Sequence, residues 1–180
     1  LHLIANSKCN YAAGIYEGNH RSINSCVGMS NMLILDVDDG MTLDQAKDKL
    51  KDYKYLITTS RNHQKIKGKK PAMDRFRIFL PLHLPMPAEN EEYKRTVKNI
   101  IKKLDLIVDT PAIEIARFYY GNSEGIYFYG ESDRLLNWTL FNAEPADDEP
   151  KDTSKSSKKA TSVVKKARNN FAPLVAVLGT

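Results

Sequence analysis

In the stretch NMLILDVDDGMT, Asn31 to Thr42, an apolar run leads directly into Asp36, Asp38 and Asp39. Side chains alternate across a strand, so Asp36 and Asp38 share one face, about 6–7 Å apart along the chain. Carboxylates at that spacing repel one another, and divalent cations offset the repulsion. Mg²⁺ and Mn²⁺ prefer hard carboxylate oxygens. Two such ions about 4 Å apart stabilise both the attacking and the leaving oxygen of a phosphoryl transfer. Asp109 precedes a later strand pattern and is placed to join the pair. His63, Arg75 and Arg77 supply donors suited to the non-reacting phosphates of a nucleoside triphosphate. A blander reading also fits: Asp38 and Asp39 precede a helical pattern and favour its N-terminus, and the arginines can pair with exposed acids.

The surrounding elements must place these groups together. NMLILDV reads as a strand, TLDQAKDKLKDY as a helix capped by Thr42, and KYLITTS, Lys54 to Ser60, as a second strand. The basic loop RNHQKIKGKKPAM follows, then DRFRIFLPL, which alternates polar and apolar residues as a half-buried strand does. PAENEEYKRTVKNIIKKLDL is a second helix, with Tyr93, Val97, Ile100, Ile101 and Leu104 on one face. EIARFYYG reads as a fourth strand and GIYFYGES as a further one, while residues 1–30 suggest at most two short strands or a small subdomain.

The order is β-α-β-β-α-β, the ferredoxin-like unit of the α+β class. Both helices then cover one sheet face, which takes Leu33, Leu35, Val37, Phe76, Ile78 and Leu80. Asp36, Asp38, Arg75 and Arg77 fall on the open face, with the third strand beside the first, and Arg117 reaches the same face.

The chain has 180 residues and a net charge of +5, enough for one main domain of roughly 100–150 residues. The mild basic balance suits polyanionic partners. Cys9 and Cys26 lack paired metal-site spacing and read as reduced thiols of a cytoplasmic protein. No apolar run approaches the roughly 20 residues of a membrane span, and no signal peptide is apparent. From about Asp147 the chain turns Lys- and Ser-rich, which predicts a linker over 146–170, with 171–180 opening a following element. The chain starts at Leu1 and reads as a piece of something longer.

LILDVDD, TTSRNHQ, DRFRIFLPL and VDTPAIEIARFYYG together resemble the archaeo-eukaryotic primase superfamily, and within it the primase-polymerase domains of phages and plasmids. The resemblance spans roughly Leu33 to Gly121. It implies an RRM-like catalytic sheet with an additional N-terminal αβ unit, and template-directed nucleotidyl transfer from NTP or dNTP on single-stranded DNA with a primer strand. Asp36 and Asp38 match the family's Asp-x-Asp, whose acids bind the catalytic Mg²⁺ or Mn²⁺, and Val108-Asp109 matches its apolar-Asp motif, with Asp105 and Glu114 as rivals. The family's Ser-x-His departs here to SRNH: His63 carries over as the phosphate contact, Ser60 stands three residues before it, and Arg61 occupies the serine's place. Arg75 and Arg77 are assigned to the triphosphate. Arg61, Lys65, Lys67, Lys69, Lys70 and Arg117 are assigned to the nucleic acid. A fused or associated helicase is the partner the family suggests.

Two other readings stand beside this one. DVDDGMT comes near the Asp-x-Asp-Gly-Thr of haloacid-dehalogenase phosphatases, with an extra Asp inserted, though such enzymes need a doubly wound parallel sheet. A non-catalytic RRM-like module uses the same sheet, but places aromatics on its open face to stack bases. The His-x-His of a two-histidine nickase is lacking.

Overall fold

A computed structural model of the chain describes residues 8–18, 20–109 and 113–142. The segment predicted as a linker, 146–170, and the element expected after it lie outside these residues. Eight strands occur among those described: β1 (Tyr11–Ala12), β2 (Gly14–Tyr16), β3 (Cys26–Met29), β4 (Met32–Val37), β5 (Leu56–Thr59), β6 (Phe76–Pro81), β7 (Phe118–Tyr119) and β8 (Tyr127–Tyr129). The helices are α1 (Leu43–Leu50) and α2 (Asn90–Lys103), with a 3-10 turn at Trp138–Phe141. No helix among the described residues is long and apolar enough to cross a membrane.

The main sheet is antiparallel, in the order β4-β6-β5-β8. The third predicted strand therefore does lie beside the first. Leu35, Ile78, Ile57 and Phe128 form one row across the sheet, and the Lys47 ammonium of α1 sits 4.1 Å from the Phe128 ring centroid. That row is the helix-covered face. Helix α1 starts in a reciprocal cap: the Thr42 hydroxyl accepts the Gln45 N–H, and the Gln45 side chain accepts the Thr42 N–H. Helix α2 buries Tyr93, Val97 and Ile100, and Ile101 and Leu104 pack at the margin of the same core.

The fourth strand departs from expectation. EIARFYYG does not join the main sheet. The Arg117 N–H bonds back to the Glu114 carbonyl, which turns the chain, and only Phe118–Tyr119 pairs, with β1 rather than β4. The free edge of β4 is satisfied differently: its Asp36 carbonyl accepts the Asp109 N–H at 2.9 Å, and its Ile34 carbonyl accepts the Tyr119 hydroxyl at 2.9 Å. The fourth place in the sheet is filled at the opposite edge by β8, from GIYFYGES. The N-terminal expectation also changes: residues 8–18 and 20–30 hold three short strands, with no helix among the described residues.

The face opposite the helices is not open. Tyr11 packs 5.8 Å from Phe79 and stacks 5.8 Å from Tyr119, so β1 and β7 roof the β4–β6 half of it. Toward β8 the face is exposed, at Tyr127 and Tyr129.

Several phenols are held neutral by this packing. Burial pushes Tyr16 up to about 12, and it raises Tyr93 and Tyr119 as well. A tyrosine in the unfolded chain ionises near 10, so the folded state binds these protons more tightly. Their contribution to stability is complete below pH 10 and is lost as pH rises through the folded values. Urea-unfolding stability is expected to fall between pH 10 and 12, and Tyr16→Phe should flatten part of that fall. A profile unchanged by Tyr16→Phe would show that this hydroxyl is not the buried titrating group.

Candidate functional site

The register of the sheet assembles one polar row: Asp36 on β4 opposite Arg77 on β6, Arg77 opposite Thr58 on β5, and Thr58 opposite Tyr127 on β8. Asp36 Oδ1 accepts from Arg77 Nε at 2.7 Å, and Asp36 Oδ2 lies 3.4 Å from Arg117 Nη2. The Arg77 guanidinium lies beside the stacked pair of rings, 4.8 Å from the Tyr119 centroid and 5.5 Å from that of Tyr11. Its Nη1 donates to the Tyr11 hydroxyl at 2.5 Å and to the Tyr120 carbonyl at 3.0 Å. Burial opposes the Arg77 charge, but Tyr11 and Asp36 outweigh it and raise its pKa. Tyr11 is raised by burial, against the pull of Arg77.

Asp36, Asp38 and Asp109 line one cleft of about 310 Å³, together with Arg77, Arg117 and Lys67. The Lys67 ammonium meets Asp38 at 2.7 Å, and Lys70 meets Asp39 at 2.5 Å. These lysines sit on the two sides of a small turn in which Lys67 bridges Lys70 and Gly68 takes a φ of 61°, a value that glycine adopts without a side-chain clash. The basic loop thus folds back over the acids. The hydrogen bond to Lys70 comes first among the causes that lower the Asp39 carboxyl.

A second cleft, of about 460 Å³, adjoins the first and shares Thr59, Ser60, Arg61 and Asn122 with it. His63 and Lys65 line this one. His63 Nδ1 accepts the Arg75 N–H at 3.2 Å. A neutral imidazole that accepts at Nδ1 carries its proton on Nε2. Arg61 Nη2 donates to the Gly121 carbonyl at 2.8 Å, and Ser60 Oγ accepts the Asn62 N–H. Lys69 is exposed on the loop.

Arg75 requires a correction. Strand alternation put its side chain on the open face beside Arg77, but it is fully buried. Its guanidinium turns into the loop and donates to three carbonyls, those of Asn62, Lys65 and Pro71. The last β5–β6 ladder pair is Thr59 with Phe76. Arg75 lies just outside it, where the loop rather than the pleat directs the side chain.

Whether the acids suit a divalent cation can be judged from their donors. Asp36, Asp38 and Asp109 offer only hard oxygens, on one cleft, which fits Mg²⁺ or Mn²⁺. Among the described residues, however, no three His, Cys, Asp or Glu side chains stand grouped to hold an ion. Protein cations meet the charges instead, Arg77 and Arg117 at Asp36 and Lys67 at Asp38. An ion held by Asp38 would have to displace the Lys67 ammonium.

Among the lining residues that went unread in the sequence are Thr58, Tyr11 and Asn122. Thr58 is buried in the lining of the acidic cleft, and its hydroxyl has no hydrogen-bond partner among the described residues. Alternation alone would have found it, two residues from Leu56 and on the face of Asp36. Tyr11 and Asn122 come from distant segments, and nothing local marks them; Asn122 Nδ2 donates to the Thr59 carbonyl at 3.0 Å.

No protein-family model matches the chain, and no curated protein matches it at a significant level. Among solved structures, the chain is similar to the AEP domain of the primase-polymerase of cyanophage S-2L, at 12% sequence identity and a TM-score of 0.45. The match covers 72% of this chain and 65%, less than two thirds, of that one.

Proposed function

We propose that the chain is a nucleotidyltransferase of the primase-polymerase type, extending a strand on single-stranded DNA from NTP or dNTP in phage or plasmid replication. The observation that carries the reading is one of placement. Asp36, Asp38 and Asp109 line a single cleft, and it abuts a second one that holds His63, Lys65 and Arg61. The four motifs that resemble archaeo-eukaryotic primases contribute most of these residues.

In this reading a 3′-hydroxyl oxygen bonds to the α-phosphorus of the bound nucleotide, and the bond to pyrophosphate breaks. Mg²⁺ or Mn²⁺ held by Asp36, Asp38 and Asp109 would lower the pKa of the attacking hydroxyl and neutralise charge developing on the phosphate oxygens. His63 Nε2–H, Lys65 and Arg61 orient the triphosphate from the adjoining cleft. Ser60 lines both clefts, between the acids and that group. Arg77 keeps Asp36 in place and faces the same cleft, and Arg117 supports it from the β7 side. Lys67, Lys69 and Lys70 track the template backbone once Lys67 leaves Asp38, which makes binding salt-dependent.

The antiparallel sheet removes the phosphatase reading, which needs parallel strands. The binding-module reading draws on Tyr127 and Tyr129, exposed on the sheet face that carries Asp36. One experiment separates the two: incorporation of labelled nucleotides on primed and unprimed single-stranded DNA, with Mg²⁺, Mn²⁺ or a chelator. Metal-dependent incorporation is expected. Oligonucleotide binding that persists in chelator, with no incorporation under any condition, would overturn the enzyme reading and favour the module.

A further inference from the structure

The loop from Ser60 to Met73 carries His63 and the lysines, yet it has almost no apolar content on which to fold; its Ile66 is 77% exposed. What organises it is an arginine outside the ligand-facing set. Arg75 is buried completely, and its bonds go to main-chain carbonyls, not to a carboxylate. Nη1 donates to Asn62 at 2.9 Å and to Lys65 at 2.7 Å, and Nη2 donates to Pro71 at 3.0 Å. A buried guanidinium is costly where its donors go unmet; carbonyls meet three of them here, while Nε has no hydrogen-bond partner among the described residues. Three carbonyls converging on one planar fork therefore select one path for the loop. The main chain of Arg75 completes the arrangement: its carbonyl accepts the Ser60 N–H at 2.9 Å, and its N–H donates to His63 Nδ1.

Asp74 is the other titratable group beside the ring, with Oδ1 3.9 Å from His63 Nδ1. Its oxygens are engaged elsewhere, Oδ1 by the Gln64 amide at 2.6 Å and Oδ2 by the Leu43 N–H at the start of α1. The proton that occupies the Nδ1 lone pair is thus the one on the Arg75 backbone.

We infer that Arg75 is a positioning residue: by gathering the carbonyls of Asn62, Lys65 and Pro71 it fixes His63 as an Nε2–H donor to a phosphate oxygen in the adjoining cleft. The inference rests on reading that cleft as a phosphate site, but Arg75's grip on the ring is measurable without any ligand. A lysine at this position keeps the charge and cannot span three carbonyls. It is expected to free the loop while β4, β6 and β5 hold the fold.

The test has two arms. In the first, ring ¹⁵N shifts of His63 are read by NMR in wild type and Arg75→Lys. Wild type should show the Nε2-protonated tautomer, and Arg75→Lys a mixture. A wild-type ring protonated at Nδ1 overturns the inference even if no variant folds, as does an Arg75→Lys ring unchanged from wild type. In the second arm, inorganic tripolyphosphate is titrated into wild type, Arg75→Lys, His63→Gln and the double variant. Arg75→Lys should weaken binding by about tenfold, the scale of one charge-assisted hydrogen bond. The double variant should lose less than the two single losses summed, because part of the Arg75 effect runs through the ring and the rest through Lys65. Additive losses overturn the inference. Absence of binding to wild type removes the phosphate reading of the cleft and the donor role assigned to His63, while the first arm still decides whether Arg75 sets the ring.

Discussion

Replacing Asp36 and Asp38 together by alanine is expected to lower nucleotide incorporation by at least about a hundredfold, because losing a bound metal removes several kcal/mol of transition-state stabilisation. The two acids differ in how cleanly they report this. Asp38 meets Lys67, and the side chains of both are more than a third exposed. Exposed pairs contribute little to stability, so Asp38→Ala alone should lose activity at nearly unchanged unfolding free energy. Asp36 is more enclosed and anchors both Arg77 and Arg117. Its alanine variant should lose activity and stability together, and Asp36→Asn, which keeps an acceptor for Arg77, should recover part of the stability and little of the activity. Mn²⁺ affinity measured by water-proton relaxation provides an activity-independent readout and should drop with each acid. Incorporation by the double variant within about tenfold of wild type would sink the metal role of this strand.

The second large effect is structural. Arg77→Met should destabilise the fold by about 3 kcal/mol, the range seen when one partner of an enclosed ion pair is removed. The Arg77 and Asp36 side chains are 14% and 20% exposed, so solvent recovers little of the lost pairing. The rings of Tyr11 and Tyr119 also lose the cation that lies against both. Urea unfolding measures this directly. The double variant Arg77→Met with Asp36→Asn should lie closer to wild type than the two single losses summed, because the stranded charge is then gone. If Arg77→Met unfolds within about 0.5 kcal/mol of wild type, the arginine acts only toward a ligand and the clamp contributes nothing.

How far the sequence revealed this arrangement depends on how local each determinant is. Alternation along LILDVD and FRIFLP placed Asp36 and Arg77 on one face, and the register then brought them opposite each other. Apolar spacing found both helices, and Thr42 was recognisable as a cap. The same alternation failed at Arg75, because it holds only while a residue belongs to the ladder. It failed differently for EIARFYYG, whose pattern suits a strand but whose pairing partner, Tyr11–Ala12, lies in a remote segment with no periodicity. His63 was legible as a polar loop residue near the acids. That it lines a separate, adjoining cleft depends on the loop's path, which long-range bonds to Arg75 set.

The pairing of β1 with β7 joins one of the first described segments to one of the last, with the whole β4–β6–β5 assembly formed from the chain between them. Contacts so far apart in the chain carry the greatest loop-closure cost and tend to form late. During synthesis, Tyr11 can meet Phe79 and Arg77 early, but β1 has no strand to pair with until Phe118 and Tyr119 have emerged. A nascent chain would therefore carry a three-stranded sheet in which Arg77 already meets Asp36 but still lacks the Tyr119 part of its aromatic cover.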